Sequence, residues 1–448
     1  MAYRFTFDPN RCTGCQACVV GCWMEHRARQ VAAWRRVPAF NAFRHPALPR
    51  FHLSLACHHC DAPACLEHCP AGAYTKDPAT GAVTLHQDRC MGCRYCTWAC
   101  PHDAPRFEAA AGIVEKCTFC PERLGAGLEP ACVARCPVEA LGLEARDPGP
   151  DPACPGIPPS TTAPGLRILP LREGAGPAVG FAPPEAVLAP FFDRLLAVPE
   201  PKITLRGEWG LVVFTTVFAV LAAWLGASRL GGPRLPAGAL LGVGGAAMIL
   251  AASHLGRPSR AWRAGLNAAT SWLSREVILV SAFLGVGGLH LLGALRSHAW
   301  GWVAALLGFA ALFAIDRIYR VALRTGPWNL HSAHALFNGL YLAALLVRAW
   351  PLAGAVGLLK LGLFLHRKRH FAGRGRLGGR LGATLRVAFG FVAPVLLLTW
   401  NPVLAGLCAV LGDLLDRCEY YAELEIPTPA GHLAAETRRR LGQQPSVA

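Results

Sequence analysis

Acidic residues are scarce in the second half of this chain. Residues 201–448 hold nine Asp+Glu against 25 Lys+Arg, whereas residues 1–200 hold 19 of each. The formal charge of +16 therefore belongs to the second half, where it lies between apolar runs and forms no soluble basic face, so nucleic acid is not an expected partner. Ionisable groups are also few inside those runs. Asp316 and Asp413 read as lying near helix ends, a poor endowment for a redox-driven ion pump. No secretory signal is expected either, because Arg35-Arg36 follows the first cysteine motif, precedes Pro38 and has no hydrophobic stretch behind it. In a reducing compartment, and with pairs two residues apart that would close strained loops, the 19 cysteines are not expected to form disulfides.

Those cysteines are what the first half does have. Sixteen fall in four quartets: Cys12, Cys15, Cys18, Cys22; Cys57, Cys60, Cys65, Cys69; Cys90, Cys93, Cys96, Cys100; and Cys117, Cys120, Cys132, Cys136. Three quartets end in Cys-Pro, and two read CxxCxxCxxxC without interruption. Structural zinc explains isolated CxxC pairs. Four cysteines inside eleven residues fit cubane iron–sulfur clusters better, with three thiolates from one run and the fourth from a distant one. Cys154, Cys408 and Cys418 lack this spacing and read as bystanders.

With 448 residues, two or more domains are expected. Residues 1–146 read as a repeat array, an α+β double two-cluster ferredoxin-like module of small strands and short helices. Glycine in CTGC and CMGC suits turns passing close to inorganic sulfur. Residues 147–207 are Pro/Gly-rich and read as an extended linker. Residues 208–421 read as an all-α membrane bundle of about eight transmembrane helices, from apolar runs near 211–228, 237–254, 277–295, 299–315, 333–349, 352–365, 384–399 and 402–415. Residues 422–448 read as a polar C-terminal tail. Lys360 and Arg386 read as snorkelling from helix ends.

Loop charge orients the bundle. Arg257, Arg260, Arg263, Arg275, Arg317, Arg320, Arg324, Arg367, Lys368, Arg369, Arg374, Arg376 and Arg380 fall on one side; Arg229, Arg234, Arg296 and Arg348 fall on the other. Both termini and the cysteine module are therefore expected on the cytoplasmic side of a bacterial or archaeal inner membrane.

The four cysteine runs resemble the four-cluster electron-transfer subunit of the DMSO reductase family of molybdopterin oxidoreductases. Residues from about 208 to 421 resemble that family's membrane anchor, most densely in HLGRPSRAWRAGLNAATSWLSRE at 254–276. The resemblance implies four [4Fe–4S] clusters, held by Cys12/Cys15/Cys18/Cys136, Cys117/Cys120/Cys132/Cys22, Cys57/Cys60/Cys65/Cys100 and Cys90/Cys93/Cys96/Cys69. Some relatives place tryptophan at the position of Cys93 and hold a [3Fe–4S] cluster; here the cysteine is present. The resemblance further implies a separate molybdopterin-containing catalytic subunit as partner, a quinone or menaquinone pool as exchange substrate, and membrane lipid around the anchor.

The family's quinone patch corresponds to His254, Gly256, Arg260 and Glu276. Quinone exchange moves two electrons and two protons, so it needs a donor to a carbonyl oxygen and a proton acceptor. His254 and Glu276 suit the proton role, and Arg260 could bind a quinone oxygen. Trp262 and Trp272 could stack on the ring or mark the interface. Arg417, Tyr420 and Tyr421 resemble the end of the family's anchor. Rival readings keep the wire and change the partner to a formate dehydrogenase, hydrogenase or polysulfide-reductase-like complex. Haem is weighed on His254, His290, His331, His334 and His366, whose pattern lacks a ligand signature. No haem is expected, and a b-type absorption band copurifying with the protein would contradict that.

Overall fold

The computed structural model describes residues 2–26, 33–42, 48–146, 157, 160–172, 201–322, 330–370, 380–397, 399–424 and 426–441. Cys154, most of the predicted linker, and Arg324, Arg374 and Arg376 lie outside the described residues. The chain divides into two compact units, residues up to Glu200 with the segment from Ile426, and Pro201–Glu425.

In the first unit the strand Tyr3–Phe7 alternates sides, burying Phe5 and Phe7. It pairs antiparallel with Leu141–Ala145 and parallel with Leu166–Ile168, so Phe7 faces Leu141 on one side and Ile168 on the other. That pairing ties the segment preceding the first cysteine run to the segment following the fourth. The helices Ala17–His26 and Ala131–Ala134 then pack together, and runs one and four meet. Helices Ala64–Glu67 and Tyr95–Ala99 bring runs two and three together in the same way. Three short antiparallel pairs, Ala39–Phe40 with Phe51–His52, Tyr74–Lys76 with Val83–Leu85 and Arg106–Glu108 with Ile113–Glu115, complete this unit's small strands among the described residues.

Two boundaries differ from the sequence reading. Part of the predicted linker is folded: Leu166–Ile168 is a sheet strand, and Ile157 and Leu171 pack on the core. The C-terminal tail also contains a helix, Pro429–Arg440, whose N-cap Thr428 hydroxyl accepts from the Gly431 amide at 3.0 Å. Leu433 and Leu441 lie against the core of the first unit. Apolar residues spaced through a segment of small, polar and charged residues are easily hidden by composition.

Each CxxC loop turns the same way. The residue before its second cysteine is left-handed in all four: Gly14 (φ 75°), His59 (φ 45°), Gly92 (φ 73°) and Phe119 (φ 73°). Such turns point successive backbone N–H groups inward, making a concavity that favours anions. Glycine takes this conformation freely, and at Gly14 an added Cβ would also meet the His52 ring at 2.5 Å. His59 and Phe119 cannot claim that freedom. Both are buried, and their rings stack at 4.4 Å and 24°, while His59 Nδ1 accepts from the Val83 amide at 3.0 Å. Packing between the two loops thus offsets their backbone strain.

In the second unit, three helices are long and apolar enough to cross a membrane: Leu205–Arg229, Trp272–Leu291 and His298–Val321. Ala239–Ala252, Ala335–Leu346 and Leu381–Leu397 are apolar but shorter. A π-helical turn opens the first of these at Ala239–Val243, and another interrupts the last at Ala388–Val392. Trp350–His370 and Pro402–Glu423 have 21 and 22 residues, enough for roughly 30 Å at 1.5 Å per residue, but both carry charge.

That charge corrects two expectations. Lys360 and Arg386 do not snorkel: both are fully buried among neighbouring helices. Asp413 is not near an end but the twelfth residue of its 22-residue helix, and it is buried too. Asp316, by contrast, does sit near an end, where its carboxylate accepts from the Ala335 and Leu336 amides at 2.7 and 3.0 Å and caps that neighbouring helix.

Phe119→Ala is expected to cost about 3–5 kcal/mol, because it deletes a buried ring and leaves a strained left-handed residue without its stack. Chemical unfolding followed by loss of cluster absorbance would measure it; an unchanged midpoint would refute the stacking argument.

Candidate functional site

The sixteen cysteines gather into four groups, each with three thiols from one run and a fourth from the partner run. Cys12, Cys15, Cys18 and Cys136 line one pocket with Gly14 and Gln16. Cys57, Cys60, Cys65 and Cys100 line another with His58, His102 and Lys116. In the third group, burial pushes the Cys22 thiol up to about 12, and proximity to Cys132 and Cys120 adds to it. In the fourth, burial raises Cys93 to about 12, reinforced by Cys69 and Cys90.

These groups fit a cationic inorganic core. Burial pushes Cys65, Cys96 and Cys117 well above the ordinary thiol range, and neighbouring thiolates push the same way. Four such thiolates persist together only with positive charge among them. Cluster iron held by these cysteines would supply that charge, and inward amides meet the sulfurs: His59 N–H lies 3.5 Å from Cys57 Sγ, and Ala73 N–H donates to Cys69 Sγ at 3.4 Å. Among the described residues, no three His, Cys, Asp or Glu side chains converge as a single metal ion requires.

Two buried cations sit between the groups. Arg35 donates from Nη1 to the Ser54 hydroxyl at 2.9 Å, while its buried Nε and Nη2 have no hydrogen-bond partner among the described residues. Burial opposes its charge, yet the thiolates of Cys132, Cys117, Cys18 and Cys22 hold its pKa above the ordinary value. Lys116 donates to Cys57 Sγ at 3.4 Å, to the Cys117 carbonyl at 2.8 Å and to the Val83 carbonyl. Burial again opposes the charge, and Cys57, Cys65 and Cys117 outweigh it. Arg35 therefore joins the Cys12 and Cys117 groups, and Lys116 joins the Cys117 and Cys57 groups. The buried Tyr74 neighbours Cys96, Cys65 and Cys69, linking the Cys57 and Cys90 groups. The four groups thus fall in one series.

Sequence reading missed these connectors. Arg35 was visible only as half of an arginine pair, and its neighbour Arg36 forms an ordinary ion pair with Asp103 at 2.6 Å. Lys116 had one signal, its place beside Cys117.

The anchor's candidate residues separate. His254 is half-buried in the turn after the helix Gly244–Ala252, its Nδ1 on the carbonyl of Ala251 in that helix. Arg260 lies in the short 3-10 helix Pro258–Gly265 after Gly256, and Trp262 is exposed. Trp272 packs edge-on to Phe313, with the Arg275 guanidinium 4.4 Å over its ring. Glu276 turns into the bundle instead, buried and within electrostatic reach of Arg417, Tyr319 and Tyr421. Arg417 donates to the Ala333 carbonyl at 2.8 Å and the Thr215 hydroxyl at 3.2 Å. The rings of Tyr319, Tyr420 and Tyr421 surround it at 5.1–5.5 Å. Its Nη2 has no hydrogen-bond partner among the described residues. Tyr319 and Tyr421 share a short hydroxyl–hydroxyl bond. Of the histidines weighed for haem, His331 and His334 approach each other at 6.4 Å, and His290 is held by Arg229 and the Leu295 carbonyl.

Four linked thiol groups and a helical unit with lipid-length apolar helices define an iron–sulfur electron-transfer protein with a membrane anchor. Residues 50–146 match the family described as 4Fe-4S dicluster domain, and residues 236–351 match the DMSO reductase anchor subunit family. The B component of the anaerobic dimethyl sulfoxide reductase of Haemophilus influenzae is 36% identical over 154 residues, 32% of this chain and 75% of that protein. Its namesake from Escherichia coli K12 is 37% identical over 147 residues, 31% of this chain and 71% of that one. The B component of the sulfite dehydrogenase of Allochromatium vinosum is 35% identical over 154 residues, covering 30% of this chain and 64% of its own length. The protein belongs to the dimethyl sulfoxide reductase family of iron–sulfur polypeptides, and it carries the anchor domain in the same polypeptide. It is an oxidoreductase subunit, and the family implies a catalytic molybdoenzyme partner.

Replacing Lys116 by Met removes a buried positive charge beside two thiol groups. The nearest cluster potential should fall by on the order of 100 mV, read by EPR-monitored redox titration, and Lys116→Arg should keep most of it. Equal potentials in wild type and Lys116→Met would remove Lys116 from the electrostatics of the wire.

Proposed function

We propose that this chain relays single electrons between membrane quinone and a molybdopterin site on its partner subunit, through four [4Fe–4S] clusters on the sixteen cysteines. The observation that supports it best is the serial order of the thiol groups, with Arg35, Lys116 and Tyr74 as the three connections. When bound, the clusters would supply one-electron acceptors; the residues hold them, shield them from water and set their local charge. The end groups are then those of Cys12/Cys15/Cys18/Cys136 and Cys90/Cys93/Cys96/Cys69, and the middle groups those of Cys117/Cys120/Cys132/Cys22 and Cys57/Cys60/Cys65/Cys100.

The quinone end falls, in this reading, on His254, Gly256, Arg260 and Glu276, now with Arg417 and its tyrosines beside Glu276. The uncommitted Arg417 Nη2 is a donor suited to a quinone carbonyl, and Glu276 is a carboxylate suited to exchange its proton. The anchor crosses the membrane with eight helical passes, the charged Trp350–His370 and Pro402–Glu423 helices among them. Their exposed faces favour this: Leu358, Leu359, Leu365, Leu404, Leu407 and Leu411 point outward while charge points inward, the inverse of a soluble helix. Both termini and the iron–sulfur unit lie on the arginine-rich cytoplasmic side.

Anaerobically purified protein should contain about sixteen irons per chain. Zinc in their place, or colourless iron-free material, would overturn the cluster assignment. Glu276→Gln should leave iron content unchanged and slow quinol-linked turnover by roughly 100-fold. Wild-type turnover with quinol analogues in that variant would remove Glu276 from the site.

A further inference from the structure

The second unit holds a group of buried charges that electron transfer does not use. Lys360, at mid-length of its helix, donates to Asp413 at 2.5 Å and to the Asn338 side-chain oxygen at 2.8 Å. Arg386 lies 3.1 Å from Asp413 and 3.2 Å from Asp416. Arg367 continues from Asp416 at 2.6 Å to Glu419 at 3.0 Å and Glu423 at 2.9 Å. Lys368, a quarter exposed, pairs with Glu419 at 2.8 Å. Asp413, Asp416, Glu419 and Glu423 step along one helix for ten residues, roughly 15 Å at 1.5 Å per residue. The ladder therefore runs from the end of the Pro402–Glu423 helix to its middle.

A static scaffold is a poor account of this ladder. Four cations and four carboxylates balance, which lowers the cost of burying them, but packed apolar side chains would generally hold helices as well without that cost. The ladder is also incompletely bonded. Arg386 is fully buried, and its Nε and Nη1 have no hydrogen-bond partner among the described residues; Arg367 Nε has none either. Room for Arg386 is made by glycine. A Cβ on Gly412 would lie 2.9 Å from Arg386 Nη1 and would overlap the Gly390 Cα, so the crossing tolerates no side chain at Gly412. Gly390 sits within the π-helical turn Ala388–Val392, a distortion frequent at functional positions. The spare donors suit water, and water beside carboxylates and a lysine conducts protons.

We propose that Lys360 and Asp413 form a proton-exchange site at mid-height of the anchor, reached from the helix end by way of Glu423, Glu419 and Asp416. The inference rests on the quinone reading, since quinone chemistry supplies the driving reaction. In the exchange step the Lys360 Nζ–H bond breaks and an Asp413 O–H bond forms, turning an ion pair into two neutral groups. The Asp413 O–H bond then breaks as its proton leaves to water on the face of the anchor away from Glu423. The Glu419/Glu423 end supplies a new proton to the amine, so both groups regain their starting charge and no electron moves in these steps. Asp416 and Arg417 are adjacent on one helix, with Asp416 in the ladder and Arg417 beside Glu276. A shift of Arg417 on quinone binding would therefore move the ladder's central carboxylate, which couples the two sites.

The test uses the full chain with its partner subunit in proteoliposomes containing a trapped pH dye. Reduced viologen drives electrons through the clusters to a soluble menaquinone analogue, and protons moved per two electrons are counted. Wild type should exceed the two protons that quinone reduction itself consumes. Lys360→Met and the paired Lys360→Met/Asp413→Leu variant, which removes both charges together, should keep the electron rate within about twofold and lose the excess. A purely structural ladder would change stability and leave the proton ratio alone. Quinone turnover in wild type with no excess protons, or an excess that survives in the variants with normal iron content, sinks the proton-exchange site and leaves the quinone reading standing. Absence of quinone reduction by wild type sinks the quinone reading and the coupling with it.

Discussion

A charge taken out of water must meet its opposite within a few ångström, or it is neutralised. That constraint organises both units of this chain, by two different means. In the first unit the anions are thiolates, and their counter-charge is iron with Arg35 and Lys116 placed between groups. In the second the anions are carboxylates, and the counter-charges are Lys360, Arg367, Arg386 and Arg417 on facing helices. Both units bury groups that ordinary cores reject. Each group is tolerated because a partner from another part of the chain arrives beside it.

The means of delivery differ with the elements available. A four-residue helix buries little apolar surface, so the cysteine runs are held by loops whose left-handed turns repeat at Gly14, His59, Gly92 and Phe119. The strand pairing of Tyr3–Phe7 with Leu141–Ala145 closes the outer pair of runs, over a core that includes Trp34, Phe40, Phe51 and Leu53. The helical unit instead uses close helix contacts made by small residues. Gly308 meets Phe283 and Gly339 meets Leu312 with no room for a Cβ, which lets charged side chains from neighbouring helices reach one another.

Much of the first unit was legible in sequence because ligand spacing is a covalent property: CxxC survives whatever fold surrounds it. The connectors were not legible, since Arg35 and Lys116 matter only after distant runs converge. The fold of residues 160–172 was hidden by proline and glycine, which signal a linker whether or not three residues between them pair with a strand. In the anchor, apolar length identified Leu205–Arg229 and Trp272–Leu291 directly. Lys360, Arg386 and Asp413 were misread because one-dimensional hydropathy cannot tell a residue facing lipid from one facing a partner. A lysine eleven residues into a 21-residue helix has no water to reach, and the only economical reading is a buried counter-ion. Position within the helix carried that signal.

Charge compensation also orders the helix Pro402–Glu423, which carries more of the buried charge than any of its neighbours among the described residues. Its outward face is leucine and valine, and its inward face is Asp413, Asp416, Arg417, Tyr420 and Tyr421. Asp416 and Arg417 are about 100° apart around the helix axis, so one helix faces two polar clusters at the same height. Rotation or translation of that helix cannot favour one cluster without disturbing the other, because close-packed helices shift as rigid bodies. An arginine held by a carbonyl, a hydroxyl and three aromatic rings is a stiff lever for such a shift. Its uncommitted Nη2 is a donor that a ligand could engage without first breaking a bond to the described residues. The pairing of opposite charges, which at first explains only why these groups can be buried, thus also ties the Arg417 cluster mechanically to the ionic ladder.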